Sequence, residues 1–404
     1  FAVAGFLTRK RLRILGYHGI WFLDGHFGNH LFMSPEKFRA RMEWLKNSKY
    51  AVIPLGEAIS ELGDAGLPPY STVITIDDGW YGTRLYMLPV LEECALPATL
   101  YVYTGAVESQ EPLQHILLAA LIHLTEEKEL EIIDPLTDRN IRWDLVSSEG
   151  RAECTSRVKD IFYSLPVEQA GDFCRSVTGK LGFDYEQVSA SRQFGFMSYD
   201  HIAEADSRGL DIQLHTHTHD LHADQPETLD LEIPVNREAL APHVTSPLEH
   251  FCYPSGVHSP DMFPYLEKHG IRSAVLTDTG LVTQHSHRYS LGRILDGEDV
   301  SLLEFEAELC GFLELVRHAK QFLNSGITSA GLRRVAQRQC RYRFYKDVRT
   351  RFYQTKVTAK RRRRRPAIGC LDPRGARGSK RRADKGLLCR QRAAKGLSFI
   401  TGLC

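Results

Sequence analysis

Two polar strings, each placed directly after a run of β-forming residues, constrain the fold of this 404-residue chain more than any other feature. Residues 75–79 read Thr-Ile-Asp-Asp-Gly and follow the run 71–74, Ser-Thr-Val-Ile. Residues 215–219 read His-Thr-His-Thr-His and follow the run 211–214, Asp-Ile-Gln-Leu. Because α/β folds carry their chemistry at the carboxyl ends of strands, both strings are predicted to lie at one end of such a fold.

Together the two strings indicate a metal site with its own base. Neighbouring side chains on an extended backbone point in opposite directions, so one carboxylate of an Asp-Asp pair can bind a cation while the other accepts a proton. Two histidines four residues apart add nitrogen ligands. One Asp and two His leave coordination positions open for water and substrate, which is typical of a catalytic divalent metal. An isolated Asp-Asp-Gly is usually a turn, and the strand context is what favours the metal site.

In these strings the chain resembles the polysaccharide deacetylases, the carbohydrate esterase family four proteins that share the chitooligosaccharide deacetylase homology domain. The resemblance implies that Asp77 is the catalytic base and that Asp78, His215 and His219 are the metal ligands. It leaves His217 without a role. The metal implied is Zn²⁺, with Co²⁺ and Ni²⁺ as alternatives.

A third string, at residues 250–256, is similar to the F-x-Y-P-x-G variant of the family's third motif. Many members carry an Arg two residues before the Pro, and that Arg steadies the catalytic Asp. Here the position is Cys252, so the partner of the base is open, and Arg293 is a candidate from a later segment. The resemblance implies the backbone N–H of Ser255 as an oxyanion donor. Cys252 itself is a weaker candidate for a nucleophile, because no His partner is evident.

The general acid is the least defined residue of the site. The family usually takes it from a late L-x-H string, which this sequence does not clearly contain. In members with a circularly permuted barrel a Y-H string opens the domain, and here that string favours His18. His285 and His287 are the alternatives, although most histidines in polar loops are simply solvated.

The function that this resemblance implies is hydrolysis of a linear amide C–N bond, the removal of N-acetyl groups from amino-sugar units of a polysaccharide or oligosaccharide. The carbohydrate substrate is therefore the expected partner. A metal-dependent hydrolase of a small non-carbohydrate amide is the alternative, because it would use the same ligands. Because the Arg of the third motif is missing, a non-catalytic carbohydrate-binding protein is a further alternative. The intact Asp77 argues against it.

The resemblance implies an α/β fold, an irregular (β/α)7-type barrel over residues 12–320, with the stretch 105–193 as a helical insertion. The hydrophobic pattern alone supports an α/β class. It predicts strands at 13–18, 51–55 and 98–103, a kink or break at Pro89, and a long closing helix at 302–322.

Charge divides the chain into two parts. Residues 331–404 contain 24 Lys or Arg and 3 Asp or Glu, which leaves 27 and 47 of the totals of 51 and 50 in residues 1–330. Such a basic, weakly periodic tail is predicted to be disordered and could contact an anionic surface. Nucleic-acid binding is disfavoured, because no base-reading module accompanies the charge.

Composition supports a globular enzyme and leaves the compartment open. Hydrophobic residues make up 43% of the chain, and no apolar run is long enough to span a bilayer. The nine cysteines follow no repeating spacing, which argues against a disulfide framework and favours a reducing compartment. No signal peptide is visible in the sequence given. Localisation therefore stays undetermined, with the cytoplasm slightly favoured.

Overall fold

The structure, a computed structural model, describes residues 1–21, 32–62 and 66–325, so the predicted tail at 331–404 lies outside the described residues. Its strands, in chain order, are β1 Arg13–Tyr17, β2 Gly19–Ile20, β3 Phe32–Met33, β4 Thr72–Ile76, β5 Thr99–Val102, β6 Glu129–Ile133, β7 Asn140–Asp144, β8 Asp211–Leu214, β9 His250–Cys252, β10 Ser273–Val275 and β11 Ile294–Leu295. Its helices are α1 Ala2–Thr8, α2 Pro35–Lys46, α3 Leu55–Glu61, α4 Leu88–Cys94, α5 Thr104–Ser109, α6 Gln114–Leu124, α7 Ser148–Ser164, α8 Val167–Lys180, α9 Tyr185–Ala190, α10 Tyr199–Ser207, α11 Leu229–Leu240, α12 Phe263–Lys268, α13 Leu302–Leu309 and α14 Phe312–Ser325.

Seven of these strands form one curled parallel sheet in the order β10-β9-β8-β5-β4-β1-β11. Nearly all of their residues are buried, as expected for parallel strands covered on both faces. The segment around β11 contacts both ends of the sheet: Leu291 pairs with Val275 of β10, and Ile294 pairs with Leu15 of β1. The predicted α/β barrel of irregular closure is therefore confirmed.

Local sequence signals explain several element boundaries. Ser34 caps α2 by accepting a hydrogen bond from the Lys37 N–H, and Pro35 occupies the first helical position. Pro89 stands at the start of α4, directly after a π-helical turn at Thr83–Met87. Because proline has no N–H to donate, the regular ladder of hydrogen bonds cannot pass through this position. The predicted break at Pro89 is observed.

Two predicted elements differ from the structure. The predicted strand 51–55 is reduced to a single bridge between Val52 and Thr72, because Pro54 ends it and caps α3. The predicted helix 302–322 is two helices, α13 and α14. Gly311 separates them with φ +74, and a Cβ there would lie 2.6 Å from a side-chain carbon of Thr8. Only glycine fits this turn without strain.

The stretch predicted as a helical insertion contains helices α5 to α9 and also a β-hairpin. Strands β6 and β7 pair antiparallel, and the residues of β6 alternate between exposed and buried. That alternation has the period of a strand, and the sequence analysis missed it. The stretch builds a hydrophobic cluster of its own, distinct from the barrel core, which includes Leu117, Leu130, Trp143, Val158 and Phe162.

Acid is expected to weaken the fold through His250, a buried residue of β9. Its Nδ1 lies 2.8 Å from Ser273 Oγ, and burial lowers its pKa to about 4. Below the ordinary histidine value of about 6.5, unfolded chains therefore bind a proton that the folded protein excludes. Stability from neutral His250 is fully present above pH 6.5 and falls by up to about 1.4 kcal/mol per pH unit between 6.5 and 4.

Urea unfolding of the metal-free protein across this pH range measures the effect. The variant His250→Gln is expected to show a shallower pH dependence of the unfolding free energy than the wild type. His285→Gln, which alters an exposed histidine, is the matched control and should leave the slope unchanged. Equal slopes for wild type and His250→Gln would contradict the assignment.

Candidate active site

The barrel brings the sequence-predicted residues together at the carboxyl ends of three strands. His18 follows β1, the pair Asp77 and Asp78 follows β4, and the histidine string follows β8. Strands β1 and β4 are direct neighbours in the sheet, and β8 lies one strand beyond them, across β5. Residues that are far apart in the sequence therefore meet at one end of the barrel, as the sequence analysis predicted for an α/β fold.

Asp78, His215 and His219 have the geometry of a metal-binding group. The Nε2 atoms of both histidines lie 3.3 Å from Asp78 Oδ1. The three potential ligand atoms lie within 4.8 Å of one another. Two imidazole nitrogens and one carboxylate oxygen are a donor set suited to Zn²⁺ and similar divalent metals, so these residues fit the expected cation.

The second nitrogen of His215 fixes the orientation of its ring. Nδ1 lies 2.7 Å from the backbone carbonyl oxygen of Cys252, which can only accept a hydrogen bond. A proton is therefore on Nδ1, and Nε2 is turned toward Asp78, where its lone pair would be available to a metal. Burial raises the pKa of Asp78, but its contacts with His215 and His219 outweigh burial and hold the pKa well below the ordinary value. Asp78 is thus present as the anion that a metal requires.

Asp77 is held by a bidentate ion pair with Arg293. The Nη1 and Nη2 atoms donate to Oδ1 and Oδ2 at 2.8 and 2.7 Å, and both side chains are buried. The guanidinium is anchored in turn by Nε, which donates to the Leu276 carbonyl at 2.7 Å. Burial raises the pKa of Asp77, but the charge and hydrogen bonds of Arg293 outweigh it and keep the pKa below the ordinary value.

Cys252 lies beside this ion pair. Its sulfur is 3.6 Å from Asp77 Oδ2 and 3.5 Å from Arg293 Nη2. Asp77, His215 and Cys252 also lie close enough together to suggest a second metal group. Arg293 occupies both oxygens of Asp77, so that group lacks a free carboxylate ligand. Burial raises the pKa of the Cys252 thiol, which also argues against a thiolate nucleophile.

His18 is the candidate general acid that the structure places at the site. Its Nε2 lies 3.4 Å from Asp77 Oδ2, while Nδ1 is buried and has no hydrogen-bond partner among the described residues. Burial lowers the pKa of His18, which keeps the ring neutral near pH 7. The alternatives are elsewhere: the ring of His287 stacks on Phe263 with centroids 4.3 Å apart, and His285 is exposed in the same loop.

Left-handed backbone conformations are concentrated at the site. Asp78, Thr216, His219 and Ser255 have φ values of 74, 63, 57 and 55°. Such conformations cost energy for residues other than glycine and are typical of functional sites. Ser255 is exposed in the turn that follows β9, the position from which the sequence predicted an oxyanion donor.

His217 lies outside the ligand group. Its Nδ1 contacts Thr104 Oγ1 at 2.9 Å, so this ring is engaged with the start of α5. The side chain of His217 thus contacts Thr104, whereas those of His215 and His219 contact Asp78. The sequence analysis had assigned no role to His217.

Two buried polar residues of α11, which the sequence analysis missed, hold the histidine string in place. Glu232 accepts hydrogen bonds from the backbone N–H groups of His217 and Thr218 at 2.8 and 2.9 Å. Asn236, one helical turn later, accepts from the His215 N–H at 3.0 Å. A sequence signal was available: these two polar residues share the buried face of a helix with leucine and isoleucine.

Trp80 is a third residue that the sequence analysis missed. Its indole N–H donates to Asp78 Oδ2 at 2.9 Å, so the carboxylate presents Oδ1 to the histidines. The indole stacks on Phe196 with centroids 4.3 Å apart and contacts Phe32 edge-on. A backbone bridge also joins Trp80 to Phe196. The segment just after the predicted insertion therefore supports the candidate metal-binding carboxylate through Trp80.

Loss of the indole N–H is expected to weaken metal binding. In the variant Trp80→Phe the ring stack is retained but Asp78 Oδ2 loses its donor, and partners of this kind are worth about 10- to 100-fold in metal affinity. Competition with a coloured chelator measures the Zn²⁺ dissociation constant. Trp143→Phe, in the hydrophobic cluster around β7, is the matched control. Equal affinities in the two variants would contradict the role of Trp80.

Fold and site together describe an α/β barrel with an Asp-His-His group that could hold a metal and an adjacent buried carboxylate. The model of the polysaccharide deacetylase family matches residues 186–274, which include the histidine string and the third motif. No curated protein matches the chain. The segment 186–274 of the chain is therefore similar to the polysaccharide deacetylases, in agreement with the resemblance seen in the sequence.

The chain is similar to several solved structures. The Streptococcus pyogenes deacetylase PplD, solved in complex with acetate, has a TM-score of 0.50 and 16% identity, over 74% of this chain and 98% of that chain. IcaB from Ammonifex degensii has a TM-score of 0.46 and 16% identity, over 74% and 97%. A de-N-acetylase from Aggregatibacter actinomycetemcomitans has a TM-score of 0.47 and 12% identity, over 74% and 99%. At these identities the likeness to PplD supports the barrel alone.

Proposed function

We propose that this protein is a metal-dependent hydrolase that removes N-acetyl groups from amino-sugar units of a polysaccharide or oligosaccharide. One observation carries the proposal: the Asp78, His215 and His219 group stands directly beside Asp77, a buried carboxylate that Arg293 keeps ionised. A metal group next to a base is what hydrolysis of an unactivated amide needs.

The expected ligands are Asp78, His215 and His219, and Zn²⁺ is the expected metal. When bound, a divalent cation would lower the pKa of its water toward about 7 and polarise the amide carbonyl. Asp77 would take the proton of the attacking water, since its pKa is low enough for the free carboxylate to be present at neutral pH. The exposed turn at Ser255 would offer its N–H to the developing oxyanion, an interaction worth on the order of 3 kcal/mol.

His18 would complete the reaction as the proton donor to the leaving amine. Its Nε2 is 3.4 Å from Asp77 Oδ2, close enough to receive the proton that Asp77 has taken. The neutral resting state of His18 suits this sequence, because the ring has to accept a proton before it can donate one. The products are acetate and a sugar with a free amine.

Acetate release from N-acetylglucosamine oligomers tests the proposal. Protein stripped of metal should be inactive, and added Zn²⁺ or Co²⁺ should restore release. Stoichiometric metal binding without release from any oligomer would favour the hydrolase of a small non-carbohydrate amide. Absence of metal binding would overturn the site itself.

A further inference from the structure

The amino-terminal helix α1 exposes apolar side chains on its outer face. Ala4, Gly5 and Thr8 are buried against the body of the protein. On the opposite side Val3, Phe6 and Leu7 are 76, 59 and 62% exposed. A helix that is apolar on both sides is usually covered on both sides, so this outer face is expected to have a partner.

Helix α1 is firmly fixed to the barrel. It packs against α14, and Thr8 Oγ1 donates to the Cys310 carbonyl at 3.0 Å. Arg13, at the start of β1, donates to the Thr8 carbonyl at 3.1 Å. The outer face is therefore presented by a helix whose inner side is held by specific contacts. We name it the α1 face, formed by Val3, Phe6 and Leu7.

Positive charge borders the α1 face. The guanidinium of Arg9 lies 3.9 Å from the centroid of the Phe6 ring, and the neighbouring Lys10 is exposed. Residues 9–11 are all basic, and the last of them, Arg11, forms an ion pair with Glu314 at 3.0 Å. Apolar side chains with adjacent cations are the combination that binds the interface of an anionic bilayer.

Three occupants could cover the α1 face: a second copy of the chain, the segment 331–404, or an anionic lipid surface. Their charges distinguish them. A second copy would bring Arg9 and Lys10 of both chains together, which is unfavourable. The segment 331–404 carries 24 basic and 3 acidic residues, so the same cations repel it. An anionic lipid surface attracts them, and it repels the remainder of residues 1–330, where acidic residues are in excess, so contact through the α1 face is favoured over contact through the rest of the barrel.

We propose that the α1 face docks this protein on an anionic membrane surface, with Phe6 and Leu7 entering the interface and Arg9 and Lys10 contacting lipid phosphates. Among the described residues, no helix has the length and hydropathy to cross a bilayer. Binding by a small apolar face alone is weak and reversible, and the basic residues supply the second contribution that stable attachment needs.

The docking also fixes an orientation. Strand β1 starts at Arg13 beside α1 and ends at Tyr17, next to His18. Helix α1 and the candidate active site are therefore attached to opposite ends of the same strand, so docking through α1 would place the site at the end of β1 farther from the bilayer. If the proposed function holds, this orientation favours a glycan that extends beyond the lipid headgroups as the substrate. The docking itself does not depend on that function.

A tryptophan placed on the face reports insertion directly. The variant Phe6→Trp of the 404-residue chain is mixed with vesicles of equal parts phosphatidylcholine and phosphatidylglycerol, with and without bromine on the acyl chains. Trp21, Trp80 and Trp143 are buried, Trp44 is partly buried, and the wild-type protein measures the background that these four residues give. Val146→Trp, at a position 71% exposed in the predicted insertion region, is the matched control. Bromine quenching of Phe6→Trp alone is the expected result.

Other results would overturn the proposal. Vesicle binding without quenching of Phe6→Trp would mean that another basic segment, such as 331–404, makes the contact. Quenching of both variants would mean non-specific adsorption. A doubled mass in solution with a lipid-independent emission shift of Phe6→Trp would identify a second copy as the occupant.

A charge-neutral variant tests the apolar contribution separately. Phe6→Gln/Leu7→Gln is expected to lower partition into the same vesicles by about tenfold or more, because two apolar side chains no longer enter the interface. Ile133→Gln/Leu136→Gln, at exposed apolar positions near the hairpin, is the control and should leave partition unchanged. Equal partition of the two variants would overturn the proposal. Acetate release from soluble oligomers should be the same in both, which separates this test from that of the proposed function.

Discussion

The variant Asp77→Asn is expected to lose acetate release by about 10³-fold, the scale of general-base catalysis, while still binding metal. Asparagine has the shape of aspartate and can still accept a hydrogen bond from Arg293, but it cannot take a proton from water. The expected metal ligand, Asp78, is the next residue, yet its contacts run to His215, His219 and Trp80. The two carboxylates should therefore be separable by mutation.

The comparison with Asp78→Ala makes this test decisive. That variant is expected to lose both metal and activity, because it removes one of three ligands. Bound Zn²⁺ is measured by elemental analysis after gel filtration, and kcat/KM by acetate release. Equal loss of metal in Asp77→Asn and Asp78→Ala would contradict the assigned roles, as would full activity of Asp77→Asn. Circular dichroism of both variants controls for folding.

Motif spacing was sufficient to predict which strand ends meet. Strands β4 and β8 are separated by more than a hundred residues, but a parallel barrel brings their carboxyl ends to one face. The burial pattern of such strands also predicts the fold class, since both faces of the sheet are covered. The positions of Asp77, Asp78, His215 and His219 at one end of the barrel follow from these two facts.

The supporting contacts were not predictable in the same way. Glu232 and Asn236 act from a helix, and Trp80 is held by Phe196 from the far end of a long intervening segment. Each depends on how elements pack, and sequence periodicity reports burial without naming the partner. The missed hairpin β6–β7 has a related cause, because a short alternating stretch between helices carries a weak signal.

Arg293 shows how a departure from a motif can be compensated in space. The family position two residues before the Pro is Cys252, which cannot pair with a carboxylate. Arg293 reaches Asp77 from the segment before β11, where it takes both carboxylate oxygens and leaves Cys252 alongside. The charge is thus supplied to the same carboxylate by a different strand, and only the closed barrel shows that the two positions are equivalent.

Replacement of Arg293 by Met is accordingly expected to destabilise the protein by about 3–5 kcal/mol, because Asp77 would remain buried without a counter-charge. Urea unfolding measures the loss. The double variant Asp77→Asn/Arg293→Met should be more stable than Arg293→Met alone, since it buries no unpaired charge. Cys252→Ala removes a neighbour of the same ion pair without removing charge, and it is the matched control.

The pH dependence of kcat/KM distinguishes the effect of Arg293 on the catalytic base from its effect on the stability of the fold. Arg293 lowers the pKa of Asp77, so Arg293→Met should raise that pKa and move the acid limb of kcat/KM to higher pH. Arg293→Lys keeps the charge but cannot make two parallel hydrogen bonds, so it should recover most of the pH profile and only part of kcat. An acid limb that stays in place in Arg293→Met, measured below its unfolding midpoint, would mean that Arg293 supports the fold without tuning the base. A displaced limb that lysine restores would establish that the guanidinium sets the ionisation of Asp77 by charge and its orientation by geometry.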